Sequence, residues 1–206
     1  DRFKINYRIP LNLITGTRKE IIENLGVISI EAADILSKEY PDLMIILGDR
    51  YEMLGFSQAA LISNIPIAHL HGGELTLGAY DDAIRHSISK MSTWHFVSAE
   101  IHRQRVIQLG EDPKRVFNVG ALGVENIIKT KINTKNTQLD NPYFLVTYHP
   151  ETNIEDDNLD QLLEALSIFT SYKIIITGAN SDNRGKKLNE ELKKFSIENN
   201  NVDFIM

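Results

Sequence analysis

Leu43-Met44-Ile45-Ile46-Leu47-Gly48-Asp49-Arg50 is followed by a helix-period stretch over 51–63 and then by Ile65-Pro66-Ile67-Ala68-His69-Leu70. Both outer stretches are apolar runs of strand length, and the middle carries apolar residues at helical spacing. Strand, helix and strand in that order imply a crossover between parallel strands, in a sheet covered on both faces. The rhythm continues outward. Strands are expected at Trp94–Val97 and 116–119, with helices at Asp81–Met91 and 100–109. Residues 131–141 are polar, rich in Asn, Thr and Lys, and without periodicity, which marks a linker. Beyond them the alternation resumes: strand Tyr143–Thr147, helix 158–169, strand 173–176, helix 185–195 and a last strand from Val202. The reading is α/β, with two Rossmann-like units at 1–135 and 136–206, the first lacking its first strands and the second only begun.

Composition narrows the function. Of the 206 residues, 42% are hydrophobic and 24% charged, ordinary for a globular protein. No apolar run approaches the roughly 20 residues of a membrane helix, and Asp1-Arg2-Phe3-Lys4 does not open a signal peptide. There is no cysteine, so disulfide and thiolate chemistry are excluded. A cytoplasmic protein is expected, with no membrane partner. The net charge of −6 argues against a nucleic-acid binder. A nucleotide ligand is still allowed, because a few arginines and a helix N-terminus suffice to hold a diphosphate. Val202-Asp203-Phe204-Ile205-Met206 reads as a strand with nothing after it to cover it, so the chain is expected to be part of a longer one.

Open α/β sheets bind ligands at the carboxyl ends of their strands. The residues just after the strands are Gly48-Asp49-Arg50, His71-Gly72-Gly73-Glu74, Ser98-Ala99-Glu100, Gly120-Ala121-Leu122-Gly123, Tyr148-His149-Pro150-Glu151 and Thr177-Gly178-Ala179-Asn180. Ionisable groups concentrate there. Asp49 and Arg50 read either as a helix cap with an exposed side chain or as a carboxylate for proton work beside a guanidinium for phosphate. In a strand, His69 and His71 project to one face. With Glu74 they form either an incomplete metal set or, as favoured here, a structural His69 beside a functional turn, with no metal. Asp81 and Arg85 share a helical face, as a surface ion pair or as site groups. The carboxylates of that helix are expected to face the loop of Glu74. His149 follows the first strand of the second unit, where it faces a cleft. Residues 177–180 form either a ligand loop or an ordinary turn.

These motifs, in this order, carry a resemblance: Leu47-Gly48-Asp49-Arg50-Tyr51-Glu52, His69-Leu70-His71-Gly72-Gly73-Glu74, Tyr80-Asp81-Asp82-Ala83-Ile84-Arg85-His86-Ser87-Ile88, Val106-Ile107-Gln108-Leu109-Gly110-Glu111, Phe117-Asn118-Val119-Gly120-Ala121-Leu122-Gly123 and His149-Pro150-Glu151-Thr152. Over residues 40–206 the chain resembles the hydrolysing UDP-N-acetylglucosamine 2-epimerases of bacterial sialic-acid biosynthesis. The resemblance implies a GT-B-like fold whose two parallel-sheet units face a cleft. It also implies elimination of UDP across C1 and C2 to a 2-acetamidoglucal, then hydration to N-acetylmannosamine, with no cofactor. By the same resemblance Asp49 and Asp81 match catalytic carboxylates, with Arg85 beside the latter. Arg50 and Asn180 match nucleotide contacts, and His149 matches a histidine serving both catalysis and substrate binding.

One position departs from the pattern: some relatives carry a catalytic glutamate where this chain has His71, while Glu74 is retained. The C2 base is therefore open between His71, Glu74 and Asp81. The family's first strand with its Gly-Thr/Ser-Arg loop, and a serine-rich phosphate loop, are expected outside the chain; Thr15-Gly16-Thr17-Arg18 only mimics the former. The segment alone is expected to have little activity. The resemblance also implies a UDP-sugar partner and a homodimer or tetramer. Competing readings are the same mechanism on UDP-2,4-diacetamido-2,4,6-trideoxyglucose, a non-hydrolysing epimerase (whose relatives read Glu-Ala-Gly-Leu at the His-Gly-Gly-Glu turn), a GT-B glycosyltransferase and a non-catalytic binding module.

Overall fold

A computed structural model describes residues 4–11, 17–130, 142–149, 158–179 and 185–206. The chain divides into two compact units, Asp1–Thr130 and Lys131–Met206. In the first unit, helix α1 (Arg18–Glu39) precedes β1 (Met44–Leu47), α2 (Tyr51–Ile62), β2 (Ile67–Leu70), α3 (Asp81–Met91), β3 (Trp94–Val97) and α4 (Glu100–Gln108). A 3-10 turn at Pro113–Arg115 then leads into β4 (Val116–Asn118) and α5 (Leu122–Lys129). The second unit contains β5 (Tyr143–Thr147), α6 (Leu159–Ser167), β6 (Lys173–Thr177), α7 (Gly185–Glu198) and β7 (Val202–Ile205).

Both sheets are parallel, in the orders β1-β2-β3-β4 and β5-β6-β7. Each strand therefore adds beside its predecessor in the same direction. Right-handed crossovers taken repeatedly in one direction put every helix on the same face. Among the described residues the crossover helices thus cover one face of each sheet, where cover on both was expected. Ile46, Ile67 and Ile88 pack with Leu36, Ala60 and Ile65, and Val97, Val106 and Val116 form an adjoining cluster. On the opposite face, Ile45 is 67% exposed, and Leu47, Trp94 and Phe117 are also exposed. The second unit repeats the arrangement. Ile174, Ile176 and Val202 pack under Leu159, Leu188 and Leu192, while Leu145 and Ile205 on the other face are exposed.

Two helices add to the expected pattern. α1 starts with Thr17, whose hydroxyl accepts from the backbone N–H of Glu20 at 3.3 Å, and closes at Tyr40 with a φ of 40°. Its buried residues are Asn24, Ile28, Ala32 and Leu36, a stripe of spacing four. A Cβ on Gly55 of α2 would stand 2.8 Å from Ile28 Cγ2, so a glycine lets the two helices approach. α5 has no buried residue. The strand expected over 65–70 begins only at Ile67. Ile65 instead donates to Ala60 O at the end of α2, and Pro66 has no N–H to give a ladder.

Candidate active site

The strands of the first unit end in Leu47, Leu70, Val97 and Asn118, and the loops that follow gather on one rim. His69, the third residue of β2, is wholly buried beneath it. Its Nε2 lies 2.8 Å from the Gly48 carbonyl, which only accepts, so Nε2 carries the hydrogen. Nδ1 is then the acceptor for the Ser89 hydroxyl at 3.1 Å. Burial pushes His69 down to about 4, against the opposing pull of the Gly48 bond. It is a neutral strut between the β1 loop and α3.

This strut has a pH signature. Below about 6.5 the unfolded chain binds a proton on this residue that the folded chain refuses until about 4. Stability is thus fully present above 6.5 and is lost on acidification through that window. The slope is roughly 1.4 kcal/mol per pH unit, for a total of roughly 3 kcal/mol. Urea unfolding at several pH values should show His69→Gln with a shallower slope than the parent chain between pH 4 and 6.5; equal slopes would remove His69 as the cause.

His71 does not share that face, which corrects the strand-based expectation. β2 stops at Leu70, and His71 has a left-handed φ of 64°. The reversal brings its ring onto Glu74, with Nδ1 2.9 Å from Oε1. The glycines that follow are required by close approach. A Cβ on Gly72 would stand 3.0 Å from both His69 Nδ1 and Ser89 Oγ. Gly73 has a φ of 79°, and a Cβ there would meet the His102 carbonyl of α4 at 2.4 Å. Among the described residues, no group of three or more metal-ligating side chains is arranged to hold a metal ion.

Arg85 organises the rest. It is 5% exposed rather than a surface residue. Its guanidinium pairs with Asp49 Oδ2 and donates to the Glu74 carbonyl at 3.0 Å and to Thr76 Oγ1 at 2.9 Å. Asp82 Oδ1 stands 3.6 Å from it and also accepts from the Thr76 N–H at 2.9 Å. The α3 carboxylate seen to meet the Glu74 loop is thus Asp82, while Asp81 opens the helix beside it. Glu74 Oε1 accepts from Ser98 Oγ at 2.6 Å as well as from His71. Burial pushes the Glu74 carboxyl up, but the bonds from Ser98 and His71 and the nearby His71 and His102 outweigh it and hold it below the usual range. It stays a carboxylate.

Asp49, His71, Glu74 and Arg85 therefore belong to one bonded group. Arg50, at the N-cap of α2, pairs with Glu52 at 3.1 Å. His149 follows β5 in the second unit and is exposed, and Asn180 lies outside the described residues. Thr76 and His102 were not among the residues singled out from the sequence; Ser98 was named only as a residue that follows a strand, and Asp82 only as a carboxylate of α3, where it meets the Glu74 loop as expected. Ser98 directly follows β3 and His102 lies in the first turn of α4; position after a strand was the available signal for Ser98.

A parallel α/β protein with a carboxylate, histidine and arginine cluster on the rim of its strand ends has the form of a ligand-binding protein of the open-sheet class. The chain belongs to the UDP-N-acetylglucosamine 2-epimerase family, whose profile matches residues 1–205. It is 42% identical to a Campylobacter jejuni protein named GDP/UDP-N,N'-diacetylbacillosamine 2-epimerase (hydrolyzing), over 96% of this chain and 54% of that protein. It is 39% identical to the Escherichia coli polysialic acid biosynthesis protein P7, over 96% of this chain and 53% of that one. The chain spans about half the length of the curated relatives it matches. A solved UDP-N-acetylglucosamine 2-epimerase from Rickettsia bellii aligns with a TM-score of 0.73 at 25% identity, over 99% of this chain and 55% of that structure. The α/β, GT-B-like fold class expected from the sequence agrees with that match. No described helix is long and apolar enough to cross a membrane.

Proposed function

We propose that the intact gene product is a hydrolysing 2-epimerase acting on a UDP-activated 2-acetamido sugar. In this reading the C2–H bond breaks as a base takes the proton and C1=C2 forms. The C1–O bond breaks with its electron pair leaving on UDP. Water then adds its oxygen at C1, and a proton returns to the opposite face of C2. The products are the free 2-epimeric sugar and UDP.

The observation that carries the reading is the His71–Glu74 contact. A carboxylate accepts only, so Nδ1 holds the hydrogen and Nε2 is left with the lone pair. In this reading His71 is the C2 base, and the contact supports it by leaving Nε2 as the acceptor. Glu74, with two donors on one oxygen, orients it and offsets the charge it gains. Asp49, fixed on Arg85, supplies a negative charge that stays in place through the reaction. Asp81, at the start of α3, is the group assigned to return the proton. Arg50, His149 and Asn180 are assigned to the UDP moiety through the family resemblance, and the whole proceeds without a cofactor.

Two substrates are favoured. The name of the Campylobacter protein points to a GDP- or UDP-linked N,N'-diacetylbacillosamine. The family description points to UDP-N-acetylglucosamine, and the name of the Escherichia coli relative, a polysialic acid biosynthesis protein, agrees with a sialic-acid route. Each should be incubated with the intact gene product in D₂O and followed by proton NMR. Free 2-epimeric sugar carrying deuterium at C2, together with UDP, is the expected result with one of them. UDP-linked epimer would indicate the non-hydrolysing reaction, and no turnover of either would overturn the proposal.

A further inference from the structure

We infer that Ser98 and His102 are positioning residues that set the tautomer and direction of His71 through Glu74. The inference rests on the reading of His71 as the base. Four side chains form one hydrogen-bonded line. His102 Nδ1 lies 2.9 Å from Ser98 Oγ, Ser98 Oγ donates to Glu74 Oε1 at 2.6 Å, and Glu74 Oε1 faces His71 Nδ1 at 2.9 Å.

The donors can run in only one order. Glu74 is a carboxylate and offers no hydrogen, so both Ser98 and His71 donate to it. The single hydroxyl hydrogen of Ser98 is thereby committed, and its oxygen must accept from His102. His102 therefore carries its hydrogen on Nδ1. One carboxylate fixes the tautomers of two histidines, and each histidine keeps its Nε2 as the acceptor.

Ser98 does not serve as the cap of α4. The N-cap of α4 is Ala99, and no side chain caps that helix. The N–H groups of His102 and Arg103 are taken up by the Ala99 carbonyl. The Ser98 hydroxyl is thus left for Glu74. The rest of α4 braces the same turn: Arg105 donates to the Gly73 carbonyl, and the His102 backbone lies where a side chain at Gly73 would sit. The side chains of His71, Glu74 and His102 are 24%, 32% and 23% exposed. The line is therefore held from behind by α4 and open to the rim in front.

A residue that orients a base acts on turnover and leaves ground-state binding alone. In the intact gene product Ser98→Ala is expected to lower kcat about 10- to 100-fold, as losses of such supporting contacts do, with KM changed less than about two-fold. Ser98→Thr, which keeps the hydroxyl, should recover most of the rate. His102→Phe should lower kcat in the same sense, and His102→Asn, with a donor close to the Nδ1 position, should restore part of it. A readout independent of activity is the ¹⁵N pattern of the imidazoles. His71 should show a single Nδ1–H tautomer in the parent and a mixture in Ser98→Ala.

His71→Ala, run alongside, separates the two ideas. If it keeps full activity, the assignment of the base fails. If it is inactive while Ser98→Ala matches the parent in kcat and in tautomer, the positioning role fails. A rise in KM alone for Ser98→Ala would also overturn it. Should Ser98→Ala not fold, the His102 pair applies the same test one bond further out.

Discussion

Arg85→Met lowers the unfolding free energy of this chain by about 3–5 kcal/mol, the expected cost of removing one partner from a buried ion pair. The side chain removed is 6% exposed and holds Asp49, the Glu74 carbonyl and the Thr76 hydroxyl together. Methionine fills much of the volume but leaves all three acceptors without their donor. The Asp49 side chain is 24% exposed, so water recovers part of its charge and places the loss near the lower bound. Asp49→Asn keeps an amide that still accepts from Arg85, and costs less. A double-mutant cycle on these two positions should give a coupling of more than about 1 kcal/mol, as expected for groups in direct contact. Trp94, the one tryptophan of the chain, lies on β3 of the same unit and reports unfolding in urea. A loss below about 1 kcal/mol would place Arg85 among surface pairs, contrary to its burial.

The strands were legible because a buried parallel strand is a short apolar run with a turn at its end, a pattern local to four or five residues. Three features were not local. α1 buries only Asn24, Ile28, Ala32 and Leu36, while Ile22, Val27 and Ile30 lie exposed around it. Its apolar residues therefore outline no single face, and the Thr17–Glu20 capping pair was its clearest mark. α5 carries Leu122, Val124, Ile127 and Ile128 exposed, so among the described residues nothing packs against it to give those residues a face. Coverage of the sheet depends on strand order, which periodicity does not encode. The one-directional stepping of β1 to β4 puts Ile45 and Leu47 on the face opposite the described crossover helices.

At the site, position after a strand was enough to single out Asp49, His71 and Glu74. Their partnerships were not readable. Arg85 and Asp49 are 36 residues apart and meet only because β1 and β2 are neighbours. A helical wheel pairs Arg85 with Asp81, but the guanidinium turns toward the loops and takes Asp49 and Asp82. The two histidines of His69-Leu70-His71 look equivalent in a strand. One backbone angle separates them, sending His69 into the core and His71 to the rim. The glycines after His71 allow that reversal by letting His69, Ser89 and His102 come close.

The largest effect on turnover belongs to His71. His71→Ala in the intact gene product is expected to lower kcat by about 10²- to 10⁴-fold, the usual contribution of a positioned base, with little change in KM. Glu74→Gln should approach the same loss although it is nearly isosteric. A glutamine that turns its amide NH₂ toward His71 forces Nδ1 to accept and moves the ring hydrogen to Nε2, the atom meant to take the C2 proton. The same substitution removes the negative charge that offsets a protonated His71. His71→Glu tests the alternative chemistry, since a carboxylate here serves as a base without an orienting partner. Its activity should accordingly depend much less on Ser98 and Glu74 than that of the parent. Deuterium incorporation at C2 is the measurement for all three variants, because it reads proton removal even where hydration is slow. If His71→Ala kept more than a tenth of the parent rate while Asp81→Asn abolished exchange, the base would be Asp81, and the tie between His71 and Glu74 would be structural.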